Sequence, residues 1–73
     1  MNPSGGETLV QKVISIVGVS EESFAKAADN AVAVAAKSVR NMKWARLHDL
    51  EMGLDGDKVA DYRATVRIYF DVE

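Results

Sequence analysis

Several ingredients are scarce in this 73-residue chain: it has no cysteine, one proline, one histidine and one tryptophan. Without cysteine, neither a disulfide nor a thiolate metal site can form. A structural zinc site is not expected from a single histidine. An excess of one sign of charge is also missing. The nine Lys and Arg residues nearly balance the eleven Asp and Glu residues, for a net charge of −2. That balance argues against a nucleic-acid partner.

Long hydrophobic runs are missing as well, although 48% of the residues are hydrophobic. No run is long enough to cross a bilayer, so no membrane partner is expected. No secretion signal is recognisable at the start of the sequence, and we expect a cytoplasmic protein. A domain this small usually needs disulfides, a metal or oligomerisation for stability. Self-association is the remaining choice.

The pattern along the chain predicts a flexible tail over residues 1–7 and one domain over residues 8–73. Pro3, Ser4, Gly5 and Gly6 favour the tail. The predicted elements are, in order, a strand over 8–17 that ends at Gly18, a helix over 20–40, a strand over 43–52, a hairpin connection over 53–58 and a strand over 61–72.

The predicted helix has end signals of its own. Ser20 is a candidate N-cap, and Glu21 and Glu22 follow it at the positive end of the helix dipole. Lys37 and Arg40 fall at the negative end. Alanines dominate the apolar face, which predicts close packing of the helix on a sheet.

The order of the elements predicts an α+β fold of the type β-α-β-β. A helical crossover makes the second strand parallel to the first, and a hairpin makes the third antiparallel to both. An antiparallel three-stranded sheet then requires the strand order 1-3-2, with one face on the helix. The other face and both sheet edges stay open, and such edges are normally paired or blunted.

Trp44 is the most informative side chain on the open face. Strict alternation puts Trp44, Arg46 and His48 outside, and Ala45 and Leu47 on the helix side. By the same rule Asp49 and Glu51 lie on the opposite face from His48. Two interpretations stay open: an oligomer-interface tryptophan, or a stacking platform for a flat ring. In the second, Arg46, His48, Arg63 and Arg67 would bind the polar edge of the ring.

Charged clusters give weaker signals. The basic cluster suggests either a phosphate site or helix-end charge compensation, and it comprises Lys37, Arg40, Lys43 and Arg46. The acidic set suggests either a Ca²⁺ or Mg²⁺ site or a solvated hairpin, and it comprises Asp49, Glu51, Asp55, Asp57 and Asp61. No arrangement of catalytic residues is recognisable, so an enzyme is not expected.

Three stretches of the sequence together resemble the dodecin family: residues 18–24, the junction 41–45 and residues 61–63. The resemblance covers about residues 8–73. It implies a homododecameric shell without enzymatic activity. It also implies storage, buffering and photoprotection of riboflavin or FMN, with FAD as a further candidate. The isoalloxazine would stack on Trp44, beside Ala45, and the indole would quench the excited flavin.

The sequence departs from this family at one position of the expected flavin site. Flavin-binding dodecins commonly have a glutamine where Arg63 stands, and arginine can donate but not accept a hydrogen bond. Some dodecin-like proteins with arginine here lack the tryptophan and are linked to calcium. The resemblance therefore leaves a flavin-free shell that binds calcium or coenzyme A as the alternative. It also makes Asp49 a candidate ligand of a structural Mg²⁺ or Ca²⁺.

Overall fold

The computed structural model describes residues 9–72 and contains three strands and one helix within that range. They are β1 (Gln11–Ser20), α1 (Phe24–Ala35), β2 (Met42–Asp55) and β3 (Lys58–Asp71). The sheet order is β1-β3-β2, and both pairings are antiparallel. The predicted β-α-β-β fold and strand order are thus confirmed. The tail predicted for residues 1–7 lies outside the described residues.

The helix is shorter than predicted at both ends. Ser23, not Ser20, is the N-cap, and its Oγ accepts a hydrogen bond from the backbone N of Lys26 at 3.0 Å. Ser20 ends β1 instead, and its Oγ accepts from the backbone N of Glu22 at 2.9 Å. Glu21 and Glu22 therefore precede the helix, because the chain needs those residues to turn away from the sheet.

The prediction of basic residues in the last helical turn is also wrong, because the last turn of α1 contains no Lys or Arg. Beyond Ala35 the chain tightens into a turn, in which the backbone N of Lys37 donates to Val34 O at 3.1 Å. Asn41 then adopts a left-handed φ of 61° immediately before β2. Lys37 and Arg40 belong to this connection and not to the last turn of the helix.

The core is small and rests on the predicted alanine face. Ala27, Ala31 and Ala35 are buried on α1, and on β3 they meet Ala64, Val66 and Ile68. Gly18 does not end the first strand as predicted but lies buried within it. A Cβ at Gly18 would collide with the backbone oxygen of Ala27 and would lie 3.0 Å from the Cβ of Ala31. Small residues on both elements therefore set the close helix–sheet distance.

The helix covers the sheet unevenly, since it packs on β1 and β3 and barely touches β2. Leu47, Leu50 and Met52 pair with Val66, Ala64 and Tyr62 and so lie on the helix side of β2. They remain 53%, 50% and 52% exposed. We call these three residues the β2 apolar strip. A single chain leaves this strip uncovered.

The hairpin is tighter than predicted. Asp55 pairs with Lys58, so the connection is only Gly56 and Asp57, and Gly56 adopts a φ of 65°. A two-residue connection with a positive φ at its glycine matches the twist of antiparallel strands. Both strands therefore extend closer to the turn than the predicted connection over 53–58 allowed.

Candidate functional site

The outer face of the sheet carries a stacked aromatic pair. Trp44 on β2 is the cross-strand partner of Tyr69 on β3. Their ring centroids lie 4.8 Å apart and their planes differ by 22°. The indole is nevertheless 51% exposed. Trp44 thus faces outward as predicted, and Tyr69 holds its ring while part of the indole surface stays open.

Sequence reasoning did not identify Tyr69 as the partner of Trp44, although a signal was available. Counting outward from a two-residue turn at Gly56 and Asp57 pairs the two aromatic residues. Between the turn and this pair, each strand has one extra residue, at His48 on β2 and at Ala60 on β3, so the two irregularities cancel. The pairing was missed because the connection was predicted to be longer.

The extra residue at His48 corrects the predicted face of the acidic side chains. Leu47 pairs with Val66, whereas Asp49 pairs with Thr65, so His48 forms a bulge. The bulge reverses the alternation, and Asp49 and Glu51 join the outer face. The assignment of these acids to the face opposite His48 was therefore wrong. His48 Nε2 lies 3.7 Å from Asp49 Oδ2.

The two arginines nearest to the aromatic pair face each other. Arg46 is the cross-strand partner of Arg67, and they form the next pair on the outer face after Trp44 and Tyr69. Arg67 Nη2 lies 3.4 Å from His48 Nε2. Arg46, His48 and Arg67 are therefore brought together beside Trp44. Ala45 pairs with Ile68 on the helix side, so only its backbone can border the same surface.

Arg63 lies in a separate group toward the hairpin. Its Nε donates to Asp61 Oδ1 at 3.2 Å, and that carboxylate oxygen also accepts from the backbone N of Gly53 at 3.1 Å. The hydrogen bond and the negative charge of Asp61, with a smaller effect of Glu51, raise the pKa of the Arg63 guanidinium above its ordinary value. Asp61 is a partner of Arg63 that sequence reasoning missed.

Arg63 is far from the aromatic pair within one chain. It precedes Tyr69 by six positions on β3, which corresponds to about 20 Å of extended strand. That distance exceeds the reach of an arginine side chain. A ring stacked on Trp44 therefore cannot meet Arg63 of the same chain.

The predicted charged clusters are only partly assembled. Lys43 Nζ lies 3.7 Å from Asp71 Oδ2, and Arg46 lies on the outer face opposite Arg67. Arg40 instead lines a cleft of about 380 Å³ with Lys12 and Phe70. Within residues 9–72, no group of three His, Asp or Glu side chains could hold a metal ion. Asp49 alone in one chain thus makes no chelating site.

A model of the dodecin family matches residues 10–73. The chain belongs to the dodecin family. Several solved dodecins share its fold. An arginine-to-alanine mutant of the Thermus thermophilus dodecin matches with a TM-score of 0.84 and 27% identity, over 90% of this chain and 98% of that chain. The dodecin of Streptomyces coelicolor shares the fold with a TM-score of 0.84 and 23% identity, over 89% of this chain and 93% of that chain.

A third solved structure that shares the fold is that of a calcium-binding dodecin. The calcium dodecin of Mycobacterium tuberculosis, a calcium-chelating immunodominant antigen with a novel calcium-binding site, matches with a TM-score of 0.76 and 35% identity. The match covers 88% of this chain and 91% of that chain. Comparison with curated protein sequences gives no match. In the described part of this dodecin, no helix is long and apolar enough to span a bilayer.

Proposed function

We propose that this dodecin binds riboflavin or FMN without catalysing a reaction, and that it stores, buffers and photoprotects the flavin. The half-exposed indole of Trp44, held by Tyr69 on the outer sheet face, is the observation that supports this most directly. A flat aromatic surface of this kind favours stacking with another planar π system. Membership of the dodecin family makes the isoalloxazine the natural candidate.

The contribution of Tyr69 would be preorganisation. A tryptophan side chain that already lies in one orientation loses less conformational freedom when a ligand stacks on it. Arg46 and Arg67, beside the stack, would donate hydrogen bonds to the flavin's polar groups or to its ribityl chain. His48, which lies against Arg67, would fix the orientation of that guanidinium. None of these roles consumes the flavin or needs a substrate.

Self-assembly as a homododecamer belongs to the same proposal. The β2 apolar strip supports it, because exposed apolar strips of this kind mark interaction surfaces. Within residues 9–72, β1 and β2 are also the edges of the sheet and have no further strand beside them. Because Arg63 lies about 20 Å from Trp44 along its own sheet, it would contact a flavin only from a neighbouring subunit.

A titration of riboflavin into the purified protein, with the particle mass measured in the same buffer, tests this function. We expect loss of flavin emission near one flavin per chain in a particle of about twelve chains, since a stacked indole quenches the excited ring. Full emission in the same large particle would contradict flavin binding while retaining the assembly.

Calcium is the second candidate ligand, because the 35% identical relative is a calcium dodecin. Within residues 9–72 of one chain no three acidic or histidine side chains converge. A calcium site would therefore need carboxylates such as Asp49 or Glu51 from more than one copy. Calorimetric titration of Ca²⁺ and Mg²⁺ into flavin-free protein separates this candidate from the first. Coenzyme A, added as a competitor in the flavin titration, tests the remaining ligand.

Replacing Arg63 with glutamine should tighten riboflavin binding by about threefold to tenfold and leave the particle mass unchanged. Glutamine can both donate to and accept from the ring's polar edge, and one net hydrogen bond contributes about 0.5–1.5 kcal/mol. Equilibrium dialysis measures the dissociation constant. Arg63→Leu is the matched control, since it also frees Asp61 but adds no acceptor. Equal affinities of the two variants would contradict this role.

A further inference from the structure

Arg46 and Arg67 form an unusual pair of like charges. They occupy directly opposite positions on β2 and β3 and share the outer face of the sheet. Like charges at directly opposite positions of an antiparallel pair destabilise it. An anion bound between the two guanidinium groups would relieve this repulsion.

Two other cations on this face already have acidic partners. Arg63 is hydrogen-bonded to Asp61, and Lys43 lies 3.7 Å from Asp71. Within residues 9–72, no carboxylate lies within ion-pairing distance of Arg46 or Arg67. Neither arginine of the pair therefore has an ion-pair partner among these residues.

The contact of Arg67 with His48 does not compensate this charge. Arg67 Nη2 can only donate, so His48 Nε2 accepts in the 3.4 Å contact. An imidazole ring brings no negative charge to the pair. The contact directs the Arg67 guanidinium while leaving both arginines free to bind an anion.

The location of the pair relative to the aromatic stack suggests which anion it binds. Successive same-face positions along a strand are roughly 7 Å apart, so the two arginines lie about that far from Trp44 and Tyr69. Two guanidinium groups can each donate two parallel hydrogen bonds to phosphate oxygens. A ribityl chain that extends from a ring on Trp44 spans a comparable distance to its terminal group.

We propose that Arg46 and Arg67 form a subsite for a phosphate monoester, so that the preferred ligand of this dodecin is FMN rather than riboflavin. The inference rests on the proposed function, because it assumes a flavin stacked on Trp44. Riboflavin has the same ring and ribityl chain but no phosphate. The ratio of the two affinities therefore isolates the subsite from the stacking surface.

The test is equilibrium dialysis of FMN and of riboflavin against wild-type protein and the Arg46→Gln/Arg67→Gln variant. We expect the wild type to bind FMN at least about tenfold more tightly than riboflavin, and the variant to bind the two flavins with equal affinity. Lys26→Gln/Lys58→Gln is the matched control. It removes the same net charge from residues away from the stack and should keep the FMN preference.

A second measurement needs only the wild-type protein. Raising the salt concentration from about 0.05 to 0.5 M should weaken FMN binding and leave riboflavin binding nearly unchanged, since salt screens exposed charges. Excess inorganic phosphate should lower FMN affinity toward that of riboflavin. This measurement also decides the matter if the double variant does not assemble.

Several outcomes would overturn the subsite. Equal wild-type affinities for the two flavins would do so while leaving flavin binding intact. An FMN preference that survives in the double variant would also overturn it. Equal wild-type affinities with loss of the large particle in the double variant would instead assign the arginines to ion pairs with carboxylates of a second copy. Absence of any flavin binding by the wild type would remove the proposed function and the subsite together.

Discussion

Replacing Trp44 with alanine should weaken flavin binding by about 10- to 100-fold without changing the mass of the particle. Stacking of one aromatic side chain on a flat heterocycle contributes about 1–3 kcal/mol to binding. Because Trp44 is half-exposed and outside the core, its removal should not affect folding. The dissociation constant should be measured by equilibrium dialysis, since a fluorescence signal would mix binding with quenching.

Trp44→Phe is the informative control for this prediction. Phenylalanine retains a flat ring beside Tyr69 but has a smaller surface, so we expect an intermediate affinity. An indole is also more easily oxidised than a benzene ring. Flavin bound to the phenylalanine variant should therefore keep a longer excited-state lifetime, which separates binding from photoprotection. If Trp44→Ala bound riboflavin as tightly as the parent, the stacking model would be wrong.

A negative charge in the β2 apolar strip should abolish the large particle. Leu50 is half-exposed in one chain, so Leu50→Asp removes little from the monomer's own packing. Burial of an unpaired carboxylate in a subunit interface costs several kcal/mol or more. We expect the particle of about twelve chains to dissociate into small species, as measured by light scattering after gel filtration.

Two further measurements complete the assembly prediction. Circular dichroism should decide whether the released chains remain folded, since a core of six buried apolar residues is small and an oligomer often has no stable monomer. Leu50→Met keeps the apolar contact and should keep the particle. A Leu50→Asp protein of unchanged mass would show that the strip is not an interface.

Most of the fold was determined by the sequence alone. The strict alternation of β3 assigned Ala64, Val66 and Ile68 to the core and Arg63, Arg67 and Tyr69 to the outer face, and the register bears this out. The connection rules then left one strand order. These predictions succeeded because side-chain alternation and crossover geometry are local or nearly local constraints.

The ends of elements were decided by tertiary contacts. Ser20 and Ser23 are both capable N-caps, and the pairing of Ser20 with Tyr62 keeps Ser20 in the sheet. Gly18 resembled a strand end, yet the close approach of Ala27 requires a residue without a Cβ inside the strand. A local pattern cannot distinguish these alternatives, because the competing interactions come from distant parts of the chain.

The candidate site was likewise determined partly by the sequence and partly by the tertiary structure. The sequence alone made Trp44 an outward-facing aromatic residue and placed Arg46 beside it. Only the tertiary structure decided that Tyr69 stacks on Trp44, that Arg46 faces Arg67 and that Asp61 holds Arg63. The physical reason is the register of β2 on β3: one extra residue at His48 moves Asp49 and Glu51 to the other face of the sheet. Such a bulge is fixed by pairing with the neighbouring strand. Strict alternation misses it, although the apolar positions of β2 shift phase between Leu47 and Leu50.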